Sequence, residues 1–180
     1  MQQQDKVIFD NAVDGLVRAL SGRLTPRLTA RLKEVGLDIQ GKRKPGYSLD
    51  EWRSVLRVTR EELFPGLAPP AGFRKLGELF IDGFLQTVLG SAVAGLLRVI
   101  GPKRTLVRAT QNFRSANNYT STKLTEVGPN HFELWMNEVD DPDFTMGIIS
   151  RGITVSGGKN ATVKVISHDA ESCRFDVRWS

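Results

Sequence analysis

The chain has 180 residues, 40% of them hydrophobic, a formal net charge of +5 and a single cysteine. That length is enough to bury a proper core and short enough for one domain spanning residues 1–180. One cysteine excludes an internal disulfide and the Cys-rich zinc frameworks, and fits a reducing compartment.

Met1 to Asp5 is polar and the next apolar run is broken by Asp10, Asn11 and Asp14, so no leader pattern opens the sequence. Val7-Ile8-Phe9 reads as a short extended entry to a helix over residues 11–20, with Val13, Leu16, Val17 and Leu20 on one face and Gly22 at its end. Thr25 is an N-cap with Pro26 at the first helical position, and Leu28, Leu32 and Val35 form the stripe of a second helix closed by Gly36. Lys42-Arg43-Lys44, followed by Pro45-Gly46, reads as a loop tip. Ser48 and Glu51 carry a capping-box signature that opens a helix through Trp52, Val55, Leu56, Thr59 and Leu63, stopped before Pro65, with residues 65–70 as a loop.

Residues 71–100 are the most apolar of the chain and predict a central helix. Gly77, Gly83, Gly90 and Gly95 lie inside it. Each costs a helix about 1 kcal/mol relative to alanine, so close packing or a break near Leu89-Gly90 must offset them. The longest apolar stretch, residues 88–100, is punctuated by Gly90, Ser91, Gly95 and Arg98 and is too short to span a bilayer. A soluble, cytoplasmic protein with no membrane span is therefore expected. Gly101-Pro102 stops the helix, and a basic helix follows over residues 102–116, with Leu106, Val107, Thr110 and Phe113 facing inward and Asn117-Asn118 ending it.

Residues 119–125 and 131–138 alternate as strands about the turn Gly128-Pro129-Asn130, with Phe132, Leu134 and Met136 on one face and Glu133, Trp135 and Asn137 on the other. Asp140-Asp141-Pro142 opens a helix from Phe144, Gly157-Gly158 ends it, and residues 162–166 and 173–179 close the chain as a hairpin. The fold class is α+β: N-terminal helices (residues 1–117) packed on a small antiparallel sheet from a mixed C-terminal part (residues 118–180).

Arg98, Lys103, Arg104, Arg108, Arg114 and Lys123 form a basic run, and Glu126, Glu133, Glu138, Asp140, Asp141 and Asp143 an acidic run after it. On an adjacent helix and hairpin the two runs compensate one another across a surface, which places nucleic acid last among the partners considered. No Gly-x-Ser-x-Gly elbow, phosphate loop, His-Glu-x-x-His or dinucleotide fingerprint is present. Asp140-Asp141 reads as a helix N-cap, and Cys173 as a buried, inert thiol. No enzymatic constellation emerges.

Leu24-Thr-Pro-Arg-Leu28, Phe113-Arg-Ser-Ala-Asn-Asn-Tyr119, Glu133-Leu-Trp-Met-Asn137 and the terminal Phe175-x-Val177-x-Trp179 resemble a paralogous family of unknown function restricted to myxobacteria, over nearly the whole chain. More distantly, the helices followed by hairpin, helix and hairpin resemble the superfamily of haem nitric-oxide-binding domains, 4-vinyl-reductase-type sensors and TRAPP vesicle-tethering subunits. Cys173-x-Phe175 is similar to the last strand of the second branch.

The haem branch implies a Tyr-x-Ser-x-Arg motif, which Tyr119-Thr-Ser121-Thr-Lys123 approaches with lysine, and a proximal histidine upstream, whereas residues 73–116 contain none. His131 and His168 fall in or beside strands and read as polar surface residues. The second branch implies a cysteine-rich zinc site, for which this chain offers only Cys173. The TRAPP branch implies a dimeric scaffold with an apolar channel.

The leading expectation is a non-enzymatic ligand-binding or signalling domain with no cofactor and no metal, holding a small apolar or amphipathic molecule between helices and sheet. Phe80, Phe84, Phe113, Tyr119 and Trp135 are the candidate aromatics. Arg114 and Lys123, with Asn117 and Asn118, are candidates to orient a carboxylate or phosphate, or else to satisfy the turn. The alternative is a TRAPP-like protein-interaction scaffold, a homodimer through its central helices, and the third a basic nucleic-acid-associated regulator.

Overall fold

Two hydrophobic clusters, one helical and one laid on a sheet, meet at a pair of crossing helices in the computed structural model, which describes residues 5–180 (Gln111 and Asn112 by backbone alone). The helical cluster is built from α1 (Asp10–Ala19), α2 (Pro26–Glu34), α3 (Leu49–Leu63) and α4 (Pro69–Phe84). Their starts follow the sequence signals. Thr25 Oγ1 accepts from the Leu28 amide at 3.1 Å, and the Ser48–Glu51 capping box is closed in both directions, at 3.2 and 2.9 Å. Leu16, Leu20, Leu28, Leu32 and Val55 are fully buried among these helices.

β1 (Val7–Phe9) is extended as expected and pairs antiparallel with β2 (Gly46–Ser48), a strand that the reading of residues 42–46 as a loop tip did not include. The basic tip itself is compensated: Arg43 Nη1 lies 2.7 Å from Asp14 and Lys44 Nζ 2.5 Å from Glu51. Pro69 and Pro70 belong to the first turn of α4, where a missing N–H costs nothing, so the preceding loop is shorter than expected.

The break in the apolar segment falls at residues 85–87, between α4 and α5 (Val88–Asn112), earlier than expected. Thr87 caps α5 by accepting from the Gly90 amide at 2.9 Å. Gly101, at φ 76°, then divides α5 into two limbs, residues 88–100 and 102–112. No single described helix is long and apolar enough to cross a membrane; α4 and α5 reach that length only together, across a 98° bend.

The second cluster lies on a four-stranded antiparallel sheet in the order β3-β4-β6-β5, from β3 (Thr122–Gly128), β4 (His131–Asn137), β5 (Thr162–His168) and β6 (Ser172–Arg178). Leu134 pairs with Phe175, and Met136 with Cys173, putting one apolar face under α6 (Pro142–Val155). Phe132 and Trp179 stack at 5.4 Å on the same face. β3 begins three residues later than its alternation suggested, because the Asn117 side chain accepts from the Tyr119 and Thr120 amides at 3.1 and 2.7 Å and holds them in a turn.

The clusters are joined where α4 crosses α6. A Cβ at Gly77 would overlap the Phe144 carbonyl, and one at Gly147 would overlap the Arg74 carbonyl. On its other side α4 meets α1 in the same way, since a Cβ at Gly83 would overlap the Gly15 carbonyl. A Cβ at Gly90 would likewise overlap the Phe84 carbonyl, so three of the four expected glycine costs are offset by close backbone approach and that of Gly95 is not. The acidic and basic runs compensate less than expected: among the described residues, Lys103 alone of the basic run forms an ion pair, with Glu126 at 2.7 Å.

Gly77→Ala and Gly147→Ala are each expected to lose about 1–3 kcal/mol or more in urea unfolding, as overpacking does. Gly152→Ala, on the same α6 with nothing within 4 Å of the added methyl, is expected to be neutral or to gain up to about 1 kcal/mol; equal losses at all three sites would refute the crossing as the tight point.

Candidate functional site

The crossing leaves a gap where α3, the end of α5 and the start of α6 fail to fill the space beside α4. The amphipathic face of α3 supplies Trp52 and Leu56, α4 supplies Phe73 and Phe80, and α6 supplies Phe144 and Ile148 one turn apart. Together they wall a cavity of about 320 Å³. Phe80 sits edge-to-face with Trp52 at 6.2 Å and with Phe144 at 5.7 Å, an arrangement that fixes all three rings.

The polar groups gather at one end. The turn after α5 is pinned to β1: Asn118 Oδ1 accepts from the Val7 amide at 2.8 Å, and its Nδ2 donates to the Asp5 carbonyl at 2.9 Å. This brings Phe113 and Tyr119 to the cavity. The Tyr119 hydroxyl has no hydrogen-bond partner among the described residues. Burial pushes its pKa upward, with the nearby Asp140 carboxylate adding to the effect, so it stays a neutral donor. Arg53, on α3, hydrogen-bonds Asp140 in the β4–α6 loop and Asp50 at 2.7 Å on its own helix. The Asp140 contact holds the guanidinium charged and ties α3 to that loop across the cavity mouth. Asp141, whose pKa is raised by burial, caps α6 by accepting from the Phe144 amide at 2.9 Å.

Three of the seven candidate residues, Phe80, Phe113 and Tyr119, line this cavity, and four do not. Lys123 and Trp135 are cross-strand partners on the outer face of the sheet, beside Glu133 and Arg174 in a shallow polar groove; strand alternation places them opposite Leu134 and Met136. Arg114 is exposed on the 3₁₀ turn of residues 113–115. Phe84 ends α4 against Gly15 of α1. Asn117 also lines the cavity, with its Oδ1 taken by the turn amides of Tyr119 and Thr120, and Asn118 spends its side chain on Val7 and Asp5. Trp52, Arg53, Phe73, Asp140 and Phe144 were not singled out from the sequence, although the stripe on α3 and the i, i+4 pair Phe144–Ile148 carried the signal.

Neither histidine reaches the cavity. His131 Nε2 lies 2.6 Å from Asp176 on the sheet, and His168 Nε2 lies 2.8 Å from the Val139 carbonyl. Among the described residues no group of three His, Cys, Asp or Glu side chains is placed to hold a metal ion. Cys173 is fully buried, and burial pushes its thiol up to about 11, out of nucleophilic range.

The model of DUF2378, a protein of unknown function, matches residues 6–180. No curated protein matches the sequence. Among solved structures, the Fe(II) unliganded H-NOX protein from K. algicida is similar with a TM-score of 0.67 and 12% identity, over 96% of this chain and 97% of that one. A haem protein studied for the effect of protein-induced porphyrin distortion on redox potential is similar with a TM-score of 0.64 and 16% identity, over 95% and 99%. A doubly substituted Tt H-NOX gives 0.64 and 13%, over 96% and 95%. The chain thus has the H-NOX fold.

The cavity's donors do not fit a histidine- or cysteine-ligated haem: among the described residues neither type lines it, and α4 and α5 contain neither, while Tyr119 and Met136 are the lining side chains of ligand type. Lys123, the counterpart of the propionate-binding arginine in the motif, points away from it.

In a Tyr47→Phe variant, which leaves Tyr119 as the chain's one tyrosine, phenolate absorbance is expected to stay flat through the pH range in which a free phenol titrates, at about 10, and to rise only on unfolding; ionisation near 10 in the folded protein would place the hydroxyl fully in solvent.

Proposed function

The chain belongs to the DUF2378 family of proteins of unknown function, and we propose that it is a ligand-binding domain whose cavity takes a small amphipathic molecule with an aromatic or aliphatic body and an acceptor at one end. The observation that carries this reading is the combination of an aromatic-walled cavity with an unpartnered tyrosine hydroxyl inside it. The hydroxyl is half-buried and keeps contact with solvent, so a ligand carbonyl or carboxylate at that point would exchange a bond to water for one to the ligand, worth about 0.5–1.5 kcal/mol. Arg53 stands at the same end. Its bond to Asp140 would have to share the guanidinium with an anionic ligand, which makes the α3-to-loop link the part of the molecule that responds to binding.

The role is binding without covalent chemistry. The carboxylates in its lining are already engaged, Glu138 with Lys6, Asp140 with Arg53 and Asp141 as the cap of α6, and this reading gives the cavity's side chains the work of shape and orientation. The same fold is found in haem proteins, and this chain has no histidine in the helices upstream of Tyr119 to ligate an iron. We read this as a sensor scaffold turned to a ligand other than haem.

A second reading, a protein-interaction scaffold that dimerises as TRAPP subunits do, is favoured by one feature: the apolar residues that the first limb of α5 turns to solvent.

Titration with anilinonaphthalene sulfonate, an anionic aromatic probe, is expected to give saturable binding of one probe per chain. Ile148→Trp, which fills the cavity, should abolish it, and Tyr119→Phe should weaken it roughly three- to tenfold, the worth of one hydrogen bond. Binding unaffected by Ile148→Trp would locate the probe elsewhere and contradict the ligand reading. Haemin added to the protein is expected to produce no Soret band of a histidine-ligated iron; such a band would contradict the absence of an imidazole ligand from the cavity.

A further inference from the structure

The first limb of α5 is apolar on the side where a surface helix is normally polar. Gly90, Val93 and Leu97 turn toward the rest of the protein. On the opposite side Val88 is 84% exposed and Val99 82%, flanked by Leu89 at 47% and Leu96 at 41%. Between the two valines lie Ala92 and Gly95, both exposed. Val88, Ala92, Gly95 and Val99 are spaced by four, three and four residues, the spacing of a coiled-coil seam. No charged residue interrupts it.

That spacing reads the same in both directions. If a second copy of the limb is laid antiparallel along the first, Val88 faces the partner's Val99 and Ala92 faces the partner's Gly95, and the two-fold axis falls at the middle of the seam. Such a face is self-complementary, as an isologous two-fold interface requires. The small residues at its centre allow the backbones to come close. In this arrangement Arg98 faces the partner's Leu89, about 13 Å along the axis from the partner's own Arg98 at 1.5 Å per residue, so the one charge on the limb meets no like charge.

We infer that the first limb of α5 is a homodimer interface in which two copies of this chain pair antiparallel along Val88, Ala92, Gly95 and Val99. Burial of the four large apolar side chains and their small neighbours on both copies removes on the order of 1,000 Å² from water, the lower bound for specific association. The dimer is accordingly reversible and of micromolar strength. A lipid surface is a poorer match. An interfacial helix carries several Lys or Arg residues beside its apolar face, whereas this limb has Arg98 alone, and Lys103, Arg104 and Arg108 lie past the break at Gly101. The interface is independent of what the cavity holds.

The test is the oligomeric state of the full chain by sedimentation velocity across micromolar concentrations. The wild-type chain is expected to shift from monomer to dimer, and Val99→Glu and Gly95→Glu to stay monomeric. Both variants should fold with an unchanged melting temperature, since Val99 is mostly in solvent and nothing lies within 4 Å of a Cβ at Gly95. Orientation is read by mild oxidation: Val88→Cys/Val99→Cys is expected to cross-link between copies. Val88→Cys alone is expected not to, because the two copies of residue 88 stand about 16 Å apart in the antiparallel pair at 1.5 Å per residue. A wild-type chain that remains monomeric to about 100 μM, well above a micromolar dissociation constant, would overturn the inference. So would a dimer indifferent to Val99→Glu, or a monomer that instead floats with phosphatidylglycerol–phosphatidylcholine vesicles.

Discussion

The crossing of α4 and α6 at Gly77 and Gly147 is the constraint from which the rest of the architecture follows. Two helices can approach this closely only if neither presents a Cβ at the contact. The approach brings the sheet cluster against the helical cluster and makes one body of them. Arg151 and Asp82, 2.7 Å apart, flank the crossing, and Arg74 reaches over it to the Val163 carbonyl at 3.3 Å on β5. These surface contacts add little energy by comparison. The dispersion gained along the touching backbones is what offsets two helix-interior glycines.

A tight crossing at one point forces divergence at the next. On either side of Gly77 along α4 stand the large side chains Phe73 and Phe80, and the space between α3 and α6 is walled by them and by Trp52 and Phe144, rings that Phe80 meets edge to face. Small residues at the contact and large ones beside it therefore produce the cavity as a consequence of packing. Its chemistry is then set by loops. The asparagines after α5 place Tyr119, and the acids before α6 place Asp140 opposite Arg53. Arg53 and Asp140, 87 positions apart in the chain, thereby link α3 to the β4–α6 loop.

Much of this was legible in the amino-acid sequence wherever a local rule decides the outcome. Thr25-Pro26, Ser48 with Glu51, and Asp141-Pro142 mark helix starts because capping is satisfied within four residues. The alternation of Phe132, Leu134 and Met136 fixed a strand and its buried face. Lys123 and Trp135 fail on a local rule left unapplied: alternation already set Trp135 on the face opposite Leu134 and Met136, and the sheet keeps both on its outer face. The other failures were non-local. β2 exists only because β1 is there to pair with it. Trp52 and Arg53 belong to the site through a tertiary fold that brings α3 beside a loop nearly ninety positions away, and nothing in their own neighbourhood announces it.

The central claim is that the space between Trp52, Phe80 and Phe144 is a real, ligand-accessible cavity and not a packed core. The most direct measurement is a crystal structure under xenon pressure, since dry apolar cavities take up xenon and close-packed interiors do not. A xenon atom is expected among these three rings, in the space that Tyr119 also lines. Continuous side-chain packing with no xenon between α3, α4 and α6 would contradict it.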